Sequence, residues 1–291
     1  RDAPMTCYIN PLCAHEHDPR YTAPKPADPK KNIMVVGAGP AGLECAYMAA
    51  QRGHEVHVYD KRKELGGTIL EASRAPYGDD ELMTCIRYQK VQCDKAGVQF
   101  HLGTEVTEDL IKDELPDSVV LATGPVYPTS KAPGFDKANV VNVLDVLRGD
   151  AKVGDAIVVW GNRKPGIGVA LSLAKQGKKV TLVGKEKSAG FDINPSFKWR
   201  YMIFLRQNGI KAYNDCEIDE VKPGEIIVKT YDGYRFPVKC DTIVVTERVP
   251  NENLKNTVQA EGIELFVIGD ALVPRNMSSA VHDGFHIGVR I

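Results

Sequence analysis

Long apolar runs are missing from this chain. None of the 291 residues lies in a stretch approaching the roughly 18 apolar residues that span a bilayer, and the first thirty hold no apolar core flanked by positive charge. Neither a membrane partner nor a secretory leader is expected. A basic excess is missing too: 37 Lys and Arg stand against 38 Asp and Glu, a net charge of -1, which leaves no electrostatic footprint for nucleic acid. The seven cysteines are too few and too irregularly spaced for a disulfide scaffold. These absences together predict a soluble, cytoplasmic protein with reduced thiols.

Residues 1–29 contain six of the 18 prolines and little periodicity, so they read as a linker from something upstream. The chain starts at Arg1 without a methionine, and "SSAVHDGFHIGVRI" stops inside a helical pattern. A fragment of a longer protein is expected.

The most informative stretch is "KKNIMVVGAGPAGLECAYMAAQRGHEVHVYDKRKELGG". Residues 33–36 form an apolar strand, and Gly37, Gly39 and Gly42 then supply the tight turn, the close approach to a pyrophosphate and the helix-to-strand contact of a dinucleotide-binding unit. The helix from Pro40 through Ala41 to about Gln51 aims its N–H groups and dipole at the phosphates. A second strand, "EVHVYD", delivers Asp60 to the adenosine ribose hydroxyls, 23 residues after Gly37, with Lys61 beside it.

Three further segments separate flavin from plain nicotinamide binding. "ELGGTI" places Gly66 and Gly67 six residues past the acid, "SVVLATG" ends a strand at Ala122, Thr123 and Gly124, and "LFVIGDALVPRNMSSAVHDGF" gives a strand, Gly269–Asp270 and a helix. They resemble the FAD-binding pattern of the two-dinucleotide-domain flavoproteins. That resemblance implies that Asp270 meets the ribityl chain and that the last helix points its amino end at the flavin, where it favours the charge of the reduced ring.

On these residues the chain resembles the C-terminal part of the multi-domain old yellow enzyme relatives, the family of 2,4-dienoyl-CoA reductase, trimethylamine dehydrogenase and N-methylproline demethylase. "TCYINPLCAHE" is similar to the place where that family puts the last of four cysteines holding a [4Fe–4S] cluster. The resemblance assigns the ligand role to Cys7, with Cys13 a bystander. It also implies that the other three ligands, and a TIM barrel carrying FMN and the substrate, lie upstream in the same polypeptide or on a partner chain. A homo-oligomer is expected, and in the amine-oxidising branch an external electron-transfer flavoprotein. A rival class, the thiol–disulfide reductases, needs a cysteine pair beside the flavin, and Cys45, Cys85, Cys93, Cys216 and Cys240 provide none at short spacing.

A second fingerprint, "VVWGNRKPGIGVALSLAKQG", is broken: Gly161 and Gly166 hold the first and third positions but Arg163 holds the second, and Gly168 stands where relatives often have glutamate. After "KKVTLV" the ribose acid is replaced by Gly184, followed by Lys185 and, at one remove, Lys187. Lysines there suit the extra phosphate of NADPH, whereas a side chain at 163 obstructs the pyrophosphate. Both an altered NADPH site and a structural remnant are consistent with these residues.

The expected architecture is α/β: two Rossmann-like units in the manner of glutathione and thioredoxin reductases. The FAD-binding domain spans 30–145 and 250–291, and a degenerate NAD(P)H-binding-like domain, 146–249, is inserted in it. The expected work is electron transfer between FAD or NAD(P)H and an FMN active site through the cluster. The alternative is an ADP-binding structural module of an amine dehydrogenase or demethylase. His15, His17 and Asp18 read as solvated linker, His282 and His286 lack the glutamate of a zinc-protease helix, and "FKWRYMIFLRQNG" reads as an amphipathic helix covering the second sheet.

Overall fold

The structure, a computed structural model, describes residues 7–18, 24–77 and 79–291. In chain order it runs β1 (Asn32–Val36), α1 (Pro40–Gln51), β2 (Glu55–Asp60), the single turn α2 (Ile69–Ala72), α3 (Leu82–Ala96), β3 (Gln99–Leu102), α4 (Glu108–Glu114), β4 (Ser118–Leu121), β5 (Val140–Asn142), α5 (Val143–Arg148) and β6 (Ala156–Trp160). There follow α6 (Lys164–Lys175), β7 (Lys179–Val183), α7 (Pro195–Gln207), β8 (Lys211–Tyr213), β9 (Cys216–Lys222), β10 (Glu225–Thr230), β11 (Arg235–Lys239), β12 (Thr242–Val245), α8 (Lys255–Ala260), β13 (Glu264–Val267) and α9 (Met277–Gly288). Two compact units emerge. One contains the chain up to Leu70, Glu81–Val126 and Val249–Ile291; the other contains Glu71–Asp80 and Tyr127–Arg248.

The first unit is built on a parallel sheet in the order β13-β4-β1-β2-β3. Ile33, Val35, Met34 and Val36 are buried on both faces, as a strand covered on two sides requires. Order reverses between β1 and β4, and the crevice outside the carboxyl ends of such neighbours is where α/β sheets bind ligands. Helix α1 lies against α3 and α9. Small residues permit the α9 contact: a Cβ at Gly284 would overlap the Ala41 carbonyl oxygen, and one at Gly288 would stand 2.6 Å from the Met48 Cβ.

This close packing encloses Glu44, which is fully buried. Tyr47 Oη donates to its Oε1 at 2.8 Å and Gln89 Nε2 to its Oε2 at 2.9 Å. Burial pushes the Glu44 carboxyl up to about 7, against the downward pull of those two hydrogen bonds.

The second unit repeats the plan with the order β5-β12-β6-β7-β8. One face of its sheet packs under the antiparallel β11-β10-β9 sheet, through Ile218, Ile226 and Val228 against Val158, Ile243 and Val245. The other face packs under α5, α6 and α7 through residues such as Ile157, Val159, Ile167, Leu171 and Leu205. The boundary expected near residue 145 falls instead at Tyr127, because β5 pairs in register with β12 (Val140 with Ile243, Asn142 with Val245). Helix α7 departs from the expected one-sided pattern. Leu205 is buried with Tyr201, Met202 and Phe204 against the core, but Phe197 and Trp199 remain more than half exposed.

Asp241 ties the start of β12 to β6, accepting from the N–H groups of Asp155 and Ala156 at 2.9 Å each. Although burial pushes its carboxyl up, those donors outweigh it and hold the group below the usual carboxylate range.

The two carboxyls predict opposite pH limbs. Glu44, raised in the folded state, contributes stability that is complete below the ordinary Glu range and lost as pH rises through about 7, on the order of 3 kcal/mol. Chemical denaturation between about pH 5 and 8 should show this decline, and Glu44→Gln should flatten it. Asp241, lowered in the folded state, contributes stability that is lost as pH falls below the usual Asp range. Because this carboxylate faces solvent, Asp241→Asn should remove only about 0.5–1 kcal/mol of that acid limb.

Candidate functional site

At the first switch point each fingerprint glycine has a separate steric cause. Gly37 has φ +113°, and a Cβ there would overlap the Ala122 carbonyl oxygen across the crevice. A Cβ at Gly42 would overlap the Gly37 carbonyl oxygen, so only glycine lets α1 start this close to β1. Gly39 differs: the nearest atom to a Cβ there is the Gly67 Cα, 3.9 Å away. Nothing in the protein demands glycine at 39, so its bare backbone faces room outside the fold. Helix α1 begins there with Pro40, which has no N–H to satisfy, and its N-cap, Gly39, offers no side chain.

The surrounding residues converge on the same spot. Asp60 accepts from the Ala38 N–H and the Arg62 N–H at 2.8 Å each, which fixes its carboxylate at the end of β2 while leaving lone pairs toward the crevice. Gly66 N–H donates to the Ala38 carbonyl at 2.8 Å, and the Arg62 guanidinium donates to the Gly67 carbonyl, bringing Gly67 against Gly39. A cavity of about 450 Å³ opens here, lined by Gly37, Asp60, Lys61, Thr123, Asn251 and Asn253 among others. The Thr123 hydroxyl oxygen in its wall is buried without a hydrogen-bond partner. A buried hydroxyl without a partner is costly, and a ligand's polar groups would relieve it. Gly124, at φ +73°, follows it. Gly269, at φ +62°, leaves 2.9 Å between its missing Cβ and that of Ala41, so the end of β13 also reaches the start of α1. Asp270 Oδ1 accepts from the Arg275 N–H at 2.8 Å, just before α9.

The second unit places Gly161, Arg163 and Gly166 in the corresponding turn. Gly161 (φ +122°) and Gly166 keep their steric causes, overlap with the Thr246 hydroxyl and the Gly161 carbonyl respectively. Here the threonine hydroxyl is satisfied, donating to the Trp160 carbonyl at 2.9 Å. Arg163 Nε donates to Glu186 Oε1 at 2.7 Å, Lys185 Nζ pairs with Glu247 Oε2 at 3.0 Å, and Lys164 Nζ pairs with the buried Asp79. Of the two lysines expected to welcome a phosphate, Lys185 therefore has a carboxylate beside it, while Lys187 is exposed.

Cys7 is half-buried, and its carbonyl oxygen lies 3.4 Å from His282 Nε2 on α9. Cys45, Cys85 and Cys93 are buried in the first unit, and burial, helped by the Glu44 charge, pushes the Cys85 and Cys93 thiols up to about 12. Thiols so raised do not supply the thiolate that disulfide exchange needs. The pattern reading missed Asn162, Glu186 and Asp192 in the second unit and Asn251 and Asn253 in the first. Glu186, two residues past the vacant acid position, was the one with a signal.

Two parallel-sheet dinucleotide units, the second inserted in the first, define the FAD/NAD(P)-binding fold typified by thioredoxin reductase. Residues 31–288 match the model of the pyridine nucleotide-disulphide oxidoreductase family, and the chain belongs to that family. Over 99% of its length it is 32% identical to an NADH oxidase of Thermoanaerobacter brockii, covering 44% of that protein. It is 29% identical to an N,N-dimethylglycine/sarcosine dehydrogenase of Chromohalobacter salexigens, over 97% of this chain and 47% of the relative. A solved 2-naphthoyl-CoA reductase superposes on all of the chain at a TM-score of 0.90 and 36% identity, 44% of that reductase being covered. The chain corresponds to the FAD/NAD-binding half of the old yellow enzyme-like flavoproteins and spans about half the length of the curated relatives it matches. No helix among the described residues is long and apolar enough to cross a membrane.

The contrast between two glycines gives a test. Gly42→Ala should lower the melting temperature by an amount equivalent to about 1–3 kcal/mol of overpacking, with or without nucleotide. Gly39→Ala should melt like the wild type yet lose retained nucleotide through dialysis. Equal behaviour of the two variants in paired melts and nucleotide assays would count against the crevice as the phosphate cradle.

Proposed function

We propose that the chain is the electron-transfer portion of an iron–sulfur flavoprotein oxidoreductase, with FAD held in the first unit. The observation that carries the reading is the buried, unpartnered hydroxyl of Thr123, which together with Gly37 and Asp60 lines the cavity of about 450 Å³. Gly39 and the amino end of α1 would hold the pyrophosphate, Asp60 the adenosine ribose, and Gly66, Gly67, Gly124, Gly269 and Asp270 the approach of the flavin end. Bound FAD exchanges both hydride and single electrons, and so connects two-electron donors with one-electron carriers. Cys7 would supply one of the four thiolates of a [4Fe–4S] cluster, the remaining three and an FMN-binding barrel coming from an upstream segment or partner chain.

A second reading is favoured by the cavity itself, which is lined by Asp60 and Lys61, where the adenosine ribose would sit: ADP alone occupies the first unit, and the module is structural. Visible flavin absorbance in the purified protein supports FAD; adenine absorbance alone supports ADP.

Asp60→Ala should weaken retention of either nucleotide by roughly 1.5–3 kcal/mol, the range for hydrogen bonds to a charged group, measured by equilibrium dialysis. Unchanged nucleotide content would sink the first-site reading. In the full-length protein, Cys7→Ser should deplete iron while leaving that nucleotide in place, and iron content equal to the wild type would refute the ligand role.

A further inference from the structure

Beyond that reading, the second unit does not fit the nicotinamide dinucleotide its fold family implies. We infer that its nucleotide site is closed by the chain's own carboxylates: Asp192 occupies the amino end of α6, where a pyrophosphate would sit, and Glu186 holds the Arg163 guanidinium.

The first unit leaves the amino end of α1 to a ligand, because its first helical residue, Pro40, has no N–H and its cap, Gly39, no side chain. In α6 the first helical residue is Lys164, whose N–H must find an acceptor. Asp192 Oδ1 provides it at 2.8 Å. A carboxylate at that point satisfies the helix dipole as a phosphate would, and repels a phosphate that tries to enter.

The segment after β7 is fastened in place by Asn162, which is fully buried. Its Nδ2 donates to the Glu186 carbonyl at 2.9 Å and to Asn214 Oδ1 at 2.8 Å, and its own carbonyl accepts the Gly190 N–H at 2.8 Å. Asn162 also settles the fate of the ribose position. A Cβ at Gly184 would overlap the Asn162 side-chain oxygen and stand 2.6 Å from the backbone nitrogen of the same residue, so an acid at 184 requires the turn to shift. In the first unit the corresponding turn residue is Ala38, whose N–H binds the Asp60 carboxylate; in the second, an amide side chain fills the space of the carboxylate. Three cations near the turn are paired with carboxylates within the unit: Arg163 with Glu186, Lys164 with Asp79 and Lys185 with Glu247. Erosion of the fingerprint is therefore accompanied by a built-in replacement for the ligand.

The test uses the full chain with ADP saturating the first site, and that saturation is measured on its own, so that failure of the first-site reading is seen separately. Calorimetric titration of the wild type with NADH, NADPH and inorganic pyrophosphate should show no second-unit binding. Asp192→Gly combined with Glu186→Gln should then bind pyrophosphate at least about tenfold more tightly than the wild type, and adding Arg163→Ala should reverse the gain. Asp192→Asn keeps the acceptor for the Lys164 N–H and removes only the charge, so it should fold normally and show a smaller gain of the same sign. Should the double variant lose its cooperative melt, Asp192→Asn decides the matter. Wild-type binding of NADH or NADPH that these variants leave unchanged would overturn the inference, as would a folded Asp192→Asn or double variant with no gain for pyrophosphate.

Discussion

A helix that starts directly off the end of a parallel strand exposes N–H groups that no residue of the helix can satisfy, and much of this chain is arranged around that fact. The start is possible only where strand and helix touch without side chains. Gly42 sits on the Gly37 carbonyl and Gly166 on the Gly161 carbonyl, the same contact made twice. What the exposed amino end then receives differs between the units. One has a proline, a bare glycine and an open crevice; the other has an N–H, an arginine and an aspartate. Opposite electrostatic outcomes thus come from one backbone design, decided by residues 39, 40, 163, 164 and 192.

The interior of the first unit obeys a related constraint. For α9 to reach the crevice it must cross α1 closely, and Gly284 and Gly288 allow this. The cost is an enclosed carboxyl. Glu44 lies where no water reaches, hydrogen-bonded by two neutral donors rather than by a cation, so its neutral form is favoured. The buried cysteines around it share that environment, which is why a family named for disulphide chemistry is represented here by thiols unsuited to it.

The run β1–α1–β2 was legible to within one residue, because an apolar strand, a glycine turn, a proline at the first helical position and an acid at the next strand end are all local signals. The fold class followed from seeing that unit twice. Segment 127–145 was misassigned because a three-residue strand has no period of its own, and its place is set by pairing with β12, about a hundred residues away. Asn162 and Asp192 were illegible for another reason. Each is an ordinary loop residue by type, and its role exists only once the segment after β7 folds back onto the start of α6. Helix α7 misled in the opposite direction, since its apolar residues run round the helix and only one side of them meets the core.

The two units also bear on the direction from which electrons would arrive. On the proposed reading the first crevice is open and the second is filled, so a hydride from a nicotinamide bound by the second unit has no entry. Another route must then reach the first site. The Cys7 segment lies against α9, its carbonyl near His282, and α9 follows the Gly269–Asp270 turn that contacts the start of α1. A cluster thiolate at Cys7 and a flavin at that turn would thus be linked through a single helix of the first unit. On that reading, one-electron exchange along this side would not use the second unit's crevice. That would free residues 163, 184 and 192 from any demand to bind a nucleotide, and the amino end of α6 still requires an acceptor, which Asp192 supplies.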